Sequence, residues 1–391
     1  MSVIIHIGPP KTGTTSIQDC LLNNSSKENL QKFNTLYFYN STSKNDLLFF
    51  LAHINSYIPR KYSQEDSLDL EIHKEDAKNY IKNLRGKHNK NKVYISSSEY
   101  LFRLGRNEII KLKNVISELD EDIKIFCYLR DPLKYLISLM CQNMAHSIRL
   151  RDPSLDINIL DRLSVWEEIF EDRFTVYSFE KAISGANGLS GALERNINEL
   201  AFLNKKSNGI KLIHNEEKSN ISECSELLLA LRNYRIKHNL EDNIFDKDLL
   251  AAKRKITKKL NNLKNYIGTK MEYSEDAKIF FYNKNKCLYE ILENKYKFIY
   301  KDNWRDYINE EKYLKLKNIK WEFDNIINSY NKDLAELFLI TLEMTILKKK
   351  KSNFSIKKAV KKLKSSKNKK YFNKSFIFIK KIFLSPLKLF K

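Results

Sequence analysis

The chain has 391 residues, 42% hydrophobic and 12% aromatic, enough for a real core and too much for wholesale disorder. Nine glycines and six prolines exclude collagen-like and Gly/Pro low-complexity classes, and five scattered cysteines without a CxxC favour reduced thiols over a disulfide framework or a zinc site. The formal net charge is +22, of which residues 348–391 carry +17 as 17 lysines with no Asp or Glu, leaving about +5 for the other 347 residues.

In chain order, β-type runs are predicted at Val3–Ile7, Thr35–Tyr39, Val93–Ser97, Ile123–Leu129 and Arg173–Tyr177. The first, third and fourth are nearly continuous apolar runs, as in strands buried on both faces of a parallel sheet. Helices are predicted between them at Thr15–Leu22, around 75–84, and at Asn107–Leu119, Leu133–Ala145 and Leu160–Phe170. That alternation argues for an α/β fold. After about residue 215 the β signal fades, and Ser222–Asn233, Asp246–Leu263, Asp276–Asn294 and Trp321–Leu347 read as helices. The expected architecture is a P-loop-type parallel sheet of about five strands flanked by helices (about 1–205), a mostly helical part (about 206–347) and a basic tail (348–391). No run of some 18 uninterrupted apolar residues occurs, and the start MSVIIHIG lacks a basic leader, so a cytoplasmic protein is expected.

Strand one runs into Gly8-Pro9-Pro10-Lys11-Thr12-Gly13-Thr14-Thr15 and then a helix. A strand–loop–helix of this kind aims backbone N–H groups and a helix N-terminus at an anion, usually a phosphate. The spacing from Gly8 to Gly13 matches the start of a nucleotide-triphosphate loop, but Thr14 stands where such a loop needs lysine. The only lysine is Lys11. Strand four ends in Arg130-Asp131-Pro132, where Asp131 can cap a helix, Pro132 can open it, and Ser138 lies two turns further on. Arg130 then stands at the carboxyl end of a parallel strand, where open α/β sheets bind ligands.

The string IHIGPPKTGTTSIQ resembles the phosphosulfate-binding loop of the sulfotransferases that use 3′-phosphoadenosine 5′-phosphosulfate (PAPS), and YLRDPLKYLISLMCQ resembles their 3′-phosphate motif. The specific motifs cover about 1–145, and looser similarity runs to about 347. The resemblance implies sulfuryl transfer from PAPS, without a metal, to a hydroxyl or an amine. It places Pro10, Lys11, Thr12, Gly13, Thr14 and Thr15 on the 5′-phosphosulfate and Arg130 and Ser138 on the 3′-phosphate. Lys11 would stabilise the leaving phosphate. Transfer to a hydroxyl needs a general base. Glu99, in the Ser97-Ser98-Glu99 run past strand three, is the first candidate and His53 the second; His146 is weaker, and His6, on a buried strand, reads as structural. The glycine-rich segment with which some members cover the nucleotide has no convincing counterpart here; Lys or Arg from 204–211 or 253–259 are candidate substitutes.

The expected acceptor is a carbohydrate or lipid-linked glycan, with small metabolites as the alternative. In the tail, apolar clusters such as Phe376-Ile377-Phe378-Ile379 and Ile382-Phe383-Leu384 interleave with lysines, a composition suited to peripheral contact with an anionic membrane and less so to nucleic acid, with a simply solvated tail as the alternative. Two rival readings stay open: a metal-dependent P-loop small-molecule kinase, and a polybasic membrane- or polyanion-binding protein without catalysis.

Overall fold

The computed structural model describes residues 2–39, 46–53, 67–86, 92–144, 147, 148, 150, 153, 158–201, 209–214, 224–240, 246–261, 268–300 and 303–349. The chain divides into two units. The first comprises residues 1–135, 156–219 and 287–301. The second comprises 136–155, 220–286 and 302–391.

The first unit is a five-stranded parallel sheet flanked by helices, an α/β fold. In chain order it contains β1 (Ser2–Ile7), α1 (Thr14–Ser26), β2 (Thr35–Tyr37), α2 (Leu47–Ala52), α3 (Ser67–Gly86), β3 (Val93–Ser98), α4 (Arg106–Ser117) and β4 (Ile123–Leu129). Then come the start of α5 (Pro132–Met144), α6 (Ile159–Phe170), β5 (Phe174–Ser178), α7 (Phe179–Ser184) and α8 (Gly188–Leu200). All five expected strands form, within two residues of their expected ends.

The strand order is β2-β3-β1-β4-β5. β1 is therefore central, and its six residues, like those of β3, are all buried. Alternate residues feed two cores. Val3, Ile5, Ile7, Tyr94, Ile125, Cys127 and Leu129 join the helices α2, α4 and α6 on one face. Ile4, Ile95, Phe126 and Tyr128 join α1 and α8 on the other. The chain leaves β1 toward the β2 side and leaves β4 toward the β5 side. Between the carboxyl ends of these two neighbours lies the crevice where such sheets bind ligands.

Residues 287–301 return to the first unit. They supply most of α12 (Lys286–Asn294), and Leu288, Leu292 and Phe298 enter the core of the α2/α4/α6 face.

The second unit is helical among the described residues: α9 (Ser225–Lys237), α10 (Lys247–Asn261), α11 (Glu275–Lys284), α13 (Glu310–Leu316), α14 (Phe323–Ile326) and α15 (Lys332–Lys349). α15 packs on α9 and α10, and α11 packs on α13 and α14. Two long predicted helices are in fact interrupted. The 276–294 run breaks at Asn285, because the amides of Asn283 and Asn285 donate to the carbonyls of Ile279 and Phe281 and compete with helix continuation. The 321–347 run breaks at 327–331. There Ile327 forms an antiparallel bridge with Tyr273, and Asn331 Oδ1 caps α15 by accepting from Leu334 N at 2.9 Å. The buried Glu226 carboxylate pins the same turn, accepting from Asn331 N (2.9 Å) and Thr269 N (2.8 Å). No helix among the described residues is long and apolar enough to cross a membrane.

Candidate functional site

The loop after β1 is built from small side chains folded inward. Thr12 is fully buried and its hydroxyl donates to the Pro9 carbonyl at 2.7 Å. A Cβ added at Gly8 would stand 3.0 Å from both Thr12 Oγ1 and Thr14 Oγ1 and 3.2 Å from His6 Cε1. Gly8 is thus required by close approach. Gly13 is required by conformation: its φ is 80°, and a Cβ there would lie 2.3 Å from Leu189 Cδ2 and 3.0 Å from Phe179. Lys11 also has a positive φ, 70°, which turns the chain sharply before α1.

Gly13 is the N-cap of α1 and brings no capping side chain. The first amides of a helix have no partner within it and carry its positive end. Beside them the Thr14 hydroxyl is buried, 3% exposed, with no hydrogen-bond partner among the described residues. A buried unsatisfied hydroxyl costs about 1–3 kcal/mol, a deficit that a bound anion accepting from it would relieve. Pro10 and Lys11 are half-buried and Thr15 is exposed, so the loop has an open side.

Arg130 reaches this loop directly. Its Nη1 donates to the Lys11 carbonyl at 3.4 Å, and its guanidinium lies over the Phe179 ring, 5.5 Å from the centroid. Asp131 caps α5, accepting from Lys134 N at 3.0 Å. The Tyr289 hydroxyl accepts from Leu133 N (3.1 Å) and donates to Asp131 (3.3 Å), while Asp131 N donates to the Glu180 carboxylate at 3.2 Å. Burial raises the pKa of Asp131 above the usual carboxylate range; burial, and then the neighbouring Asp131 charge, raise that of Glu180. Ser138 lies two turns into α5, half-buried, in the part of that helix belonging to the second unit.

Glu99 occupies the turn directly after β3 and is half-buried. Ser98 before it donates to Asp46 at 2.7 Å and accepts from Tyr100 N at 3.3 Å. The Tyr100 ring packs on Phe49 (5.8 Å), and Phe49 packs on His53 (5.3 Å). Glu99's turn and His53 therefore border one aromatic cluster. His53 closes α2, is buried, and its carbonyl accepts from Lys111 Nζ at 3.3 Å. His146 lies outside the described residues, as do 350–391 and, among the suggested nucleotide-covering cations, those at 204–208.

His6 is on the opposite face of the sheet from that cluster. Its Nδ1 is 2.9 Å from Ser97 Oγ, the Ser97 carbonyl accepts from Gln18 Nε2 at 2.9 Å, and its Nε2 has no partner among the described residues. Complete burial lowers its pKa from 6.5 to about 3, so the ring is neutral at physiological pH.

Several participants escaped the sequence reading. Phe179 and Leu189 cover Gly13, and Glu180 holds the turn after β4, yet α7 and α8 went unpredicted. The αL pair Asn187-Gly188 was the available signal for a helix start there. Tyr289 comes from more than 150 residues downstream, which no local pattern could reveal. Among the described residues no cluster of three His, Cys, Asp or Glu side chains has metal-binding geometry. No protein-family model matches the chain, and no curated protein matches it.

Proposed function

We propose that the protein is a sulfotransferase that moves a sulfuryl group from PAPS to a hydroxyl, with an amine as the alternative, on an acceptor. The observation that carries this reading is the loop of Gly8–Thr15: an uncapped helix N-terminus, a buried Thr14 hydroxyl lacking a partner, and an arginine bonded to the same loop. The residues suit a 5′-phosphosulfate. Amides of the first turn of α1 and the Thr14 hydroxyl can donate to its oxygens. Thr14 in place of lysine removes a charge that a triphosphate needs, which argues against the kinase reading. Arg130 supplies the charged fork for a second phosphate group, and Ser138 is assigned to the same phosphate by resemblance of its motif.

In the transfer, an acceptor oxygen attacks sulfur, the bond from sulfur to the phosphate oxygen breaks, and 3′-phosphoadenosine 5′-phosphate leaves. Lys11 and the loop amides stabilise the charge that develops on the departing phosphate. Glu99, or His53 beside the same aromatic cluster, takes the acceptor proton. The acceptor is a carbohydrate or a lipid-linked glycan.

The test is calorimetric binding of 3′-phosphoadenosine 5′-phosphate beside Mg-ATP, each with and without EDTA. Metal-independent binding of the 3′-phosphorylated nucleotide, lost in Arg130→Ala, is the expected result. Preference for Mg-ATP, abolished by EDTA, would overturn the proposal in favour of a kinase.

A further inference from the structure

α10 presents an exposed face that carries cations and no acid. Lys247, Ala251, Arg254, Lys255 and Lys258 are its exposed residues up to position 258. At 3.6 residues per turn they fall within an arc of about 100°, over roughly 16 Å of helix. Leu249, Leu250, Ala252 and Ile256 are buried and anchor the helix, which packs on α15. The acids near its start, Asp246 and Asp248, are half-buried; Asp246 accepts from the backbone N–H groups of Asp248 and Leu249.

Other lysines of this unit pair with acids: Lys237 with Glu343, Lys312 with Asp276 and Lys332 with Asp324. No ion pair among the described residues involves Lys247, Arg254, Lys255 or Lys258. Four cations on one helix face, without an ion pair among the described residues, repel one another, so the arrangement favours an external anionic surface.

The neighbouring helix indicates which surface. α15 ends at Lys349, and the chain continues into the lysine-rich segment whose apolar clusters include Phe376–Ile379 and Ile382–Leu384. Phe376, Phe378 and Phe383 could stack on bases, but Ile377, Ile379, Ile382 and Leu384 between them have no π-face, and clusters of this mixed kind partition into the acyl boundary of a bilayer while lysines meet the headgroups. α10 therefore offers a folded basic face packed on the helix from which a lipid-seeking segment departs.

We propose that α10 is a membrane-facing surface, with Lys247, Arg254, Lys255 and Lys258 resting on anionic phospholipid headgroups. The proposal takes Arg254, Lys255 and Lys258, which the sequence also offers as nucleotide-covering cations, as lipid contacts; its vesicle test contains no nucleotide, so its failure is distinguishable from failure of the sulfuryl-transfer reading.

The test uses the full chain in co-sedimentation with vesicles of phosphatidylcholine alone and with phosphatidylglycerol added. The variant is Arg254→Glu/Lys255→Glu/Lys258→Glu; the control Lys27→Glu/Lys32→Glu/Lys82→Glu makes an equal charge change at exposed positions of the first unit. Circular dichroism confirms that both fold. The wild type is expected to bind only the anionic vesicles, the α10 variant to lose at least tenfold in affinity, and the control to lose less than threefold. Equal losses in variant and control, or wild-type binding that ignores lipid charge, would overturn the proposal. So would tighter binding of a single-stranded RNA than of anionic vesicles, lost in the same α10 variant.

Discussion

His6 makes the fold acid-sensitive by a predictable amount. In the folded chain its ring is wholly buried and its pKa falls from 6.5 to about 3. Below pH 6.5 the unfolded chain takes up a proton that the folded chain refuses until about pH 3. The stabilisation is therefore complete above 6.5 and is lost as pH falls through that window. Each pH unit within it costs about 1.4 kcal/mol, so moving from pH 7 to pH 5 removes about 2 kcal/mol through this one residue. The raised carboxyls of Asp131 and Glu180 act in the opposite direction, because the folded state holds their protons more tightly as pH falls. They are removed by comparison with His6→Asn, which keeps a polar group opposite Ser97 and does not titrate. Urea unfolding of both proteins at pH 7 and pH 5, followed by circular dichroism with m checked for constancy, measures the difference. The wild type should lose about 2 kcal/mol more than His6→Asn over this interval. Equal losses in the two proteins would refute the reasoning and mean that His6 is hydrated and titrates normally.

Lys11→Ala is expected to abolish turnover with PAPS while leaving 3′-phosphoadenosine 5′-phosphate binding within a few-fold, measured by product formation and calorimetry; full activity would sink the mechanism. Glu99→Gln and His53→Asn separate the two candidate bases, since loss of a general base lowers kcat by roughly 100-fold or more and the bystander should stay near wild type. Tyr289→Phe removes the acceptor of the Leu133 N–H and a donor to Asp131, both buried. It should lower stability by about 1–3 kcal/mol in a thermal or urea melt, and an unchanged melting temperature would show that the turn after β4 does not depend on it.

The readable parts of this protein share one property: their information is contained in a few neighbouring residues. β1 and β4 were legible because strands buried on both faces are mostly apolar, and β3 from its apolar start Val93-Tyr94-Ile95, although it ends in three buried serines. The loop of Gly8–Thr15 was legible because glycine at two spaced positions, in a chain with only nine, marks close approach and positive φ. Helix α5 was legible from Asp131-Pro132, and Asp131 does cap it. The breaks at Asn285 and 327–331 were not. They depend on asparagine side chains choosing backbone partners and, at Asn331, on a buried carboxylate more than 100 residues away.

Strand identity, the Gly8–Thr15 loop and the arginine after β4 were thus present in local composition and spacing. The strand order was not, because parallel strands are joined by crossovers and their pairing depends on which buried faces fit, a property of the folded sheet as a whole. That order sets β4 beside β1 and so brings Arg130 to the Lys11 carbonyl, 119 residues away in sequence. The same packing brings Leu189 and Phe179 over Gly13, and returns Tyr289 to the cap of α5. Contacts between residues so distant have no local pattern to announce them; they exist only once the chain has closed its core.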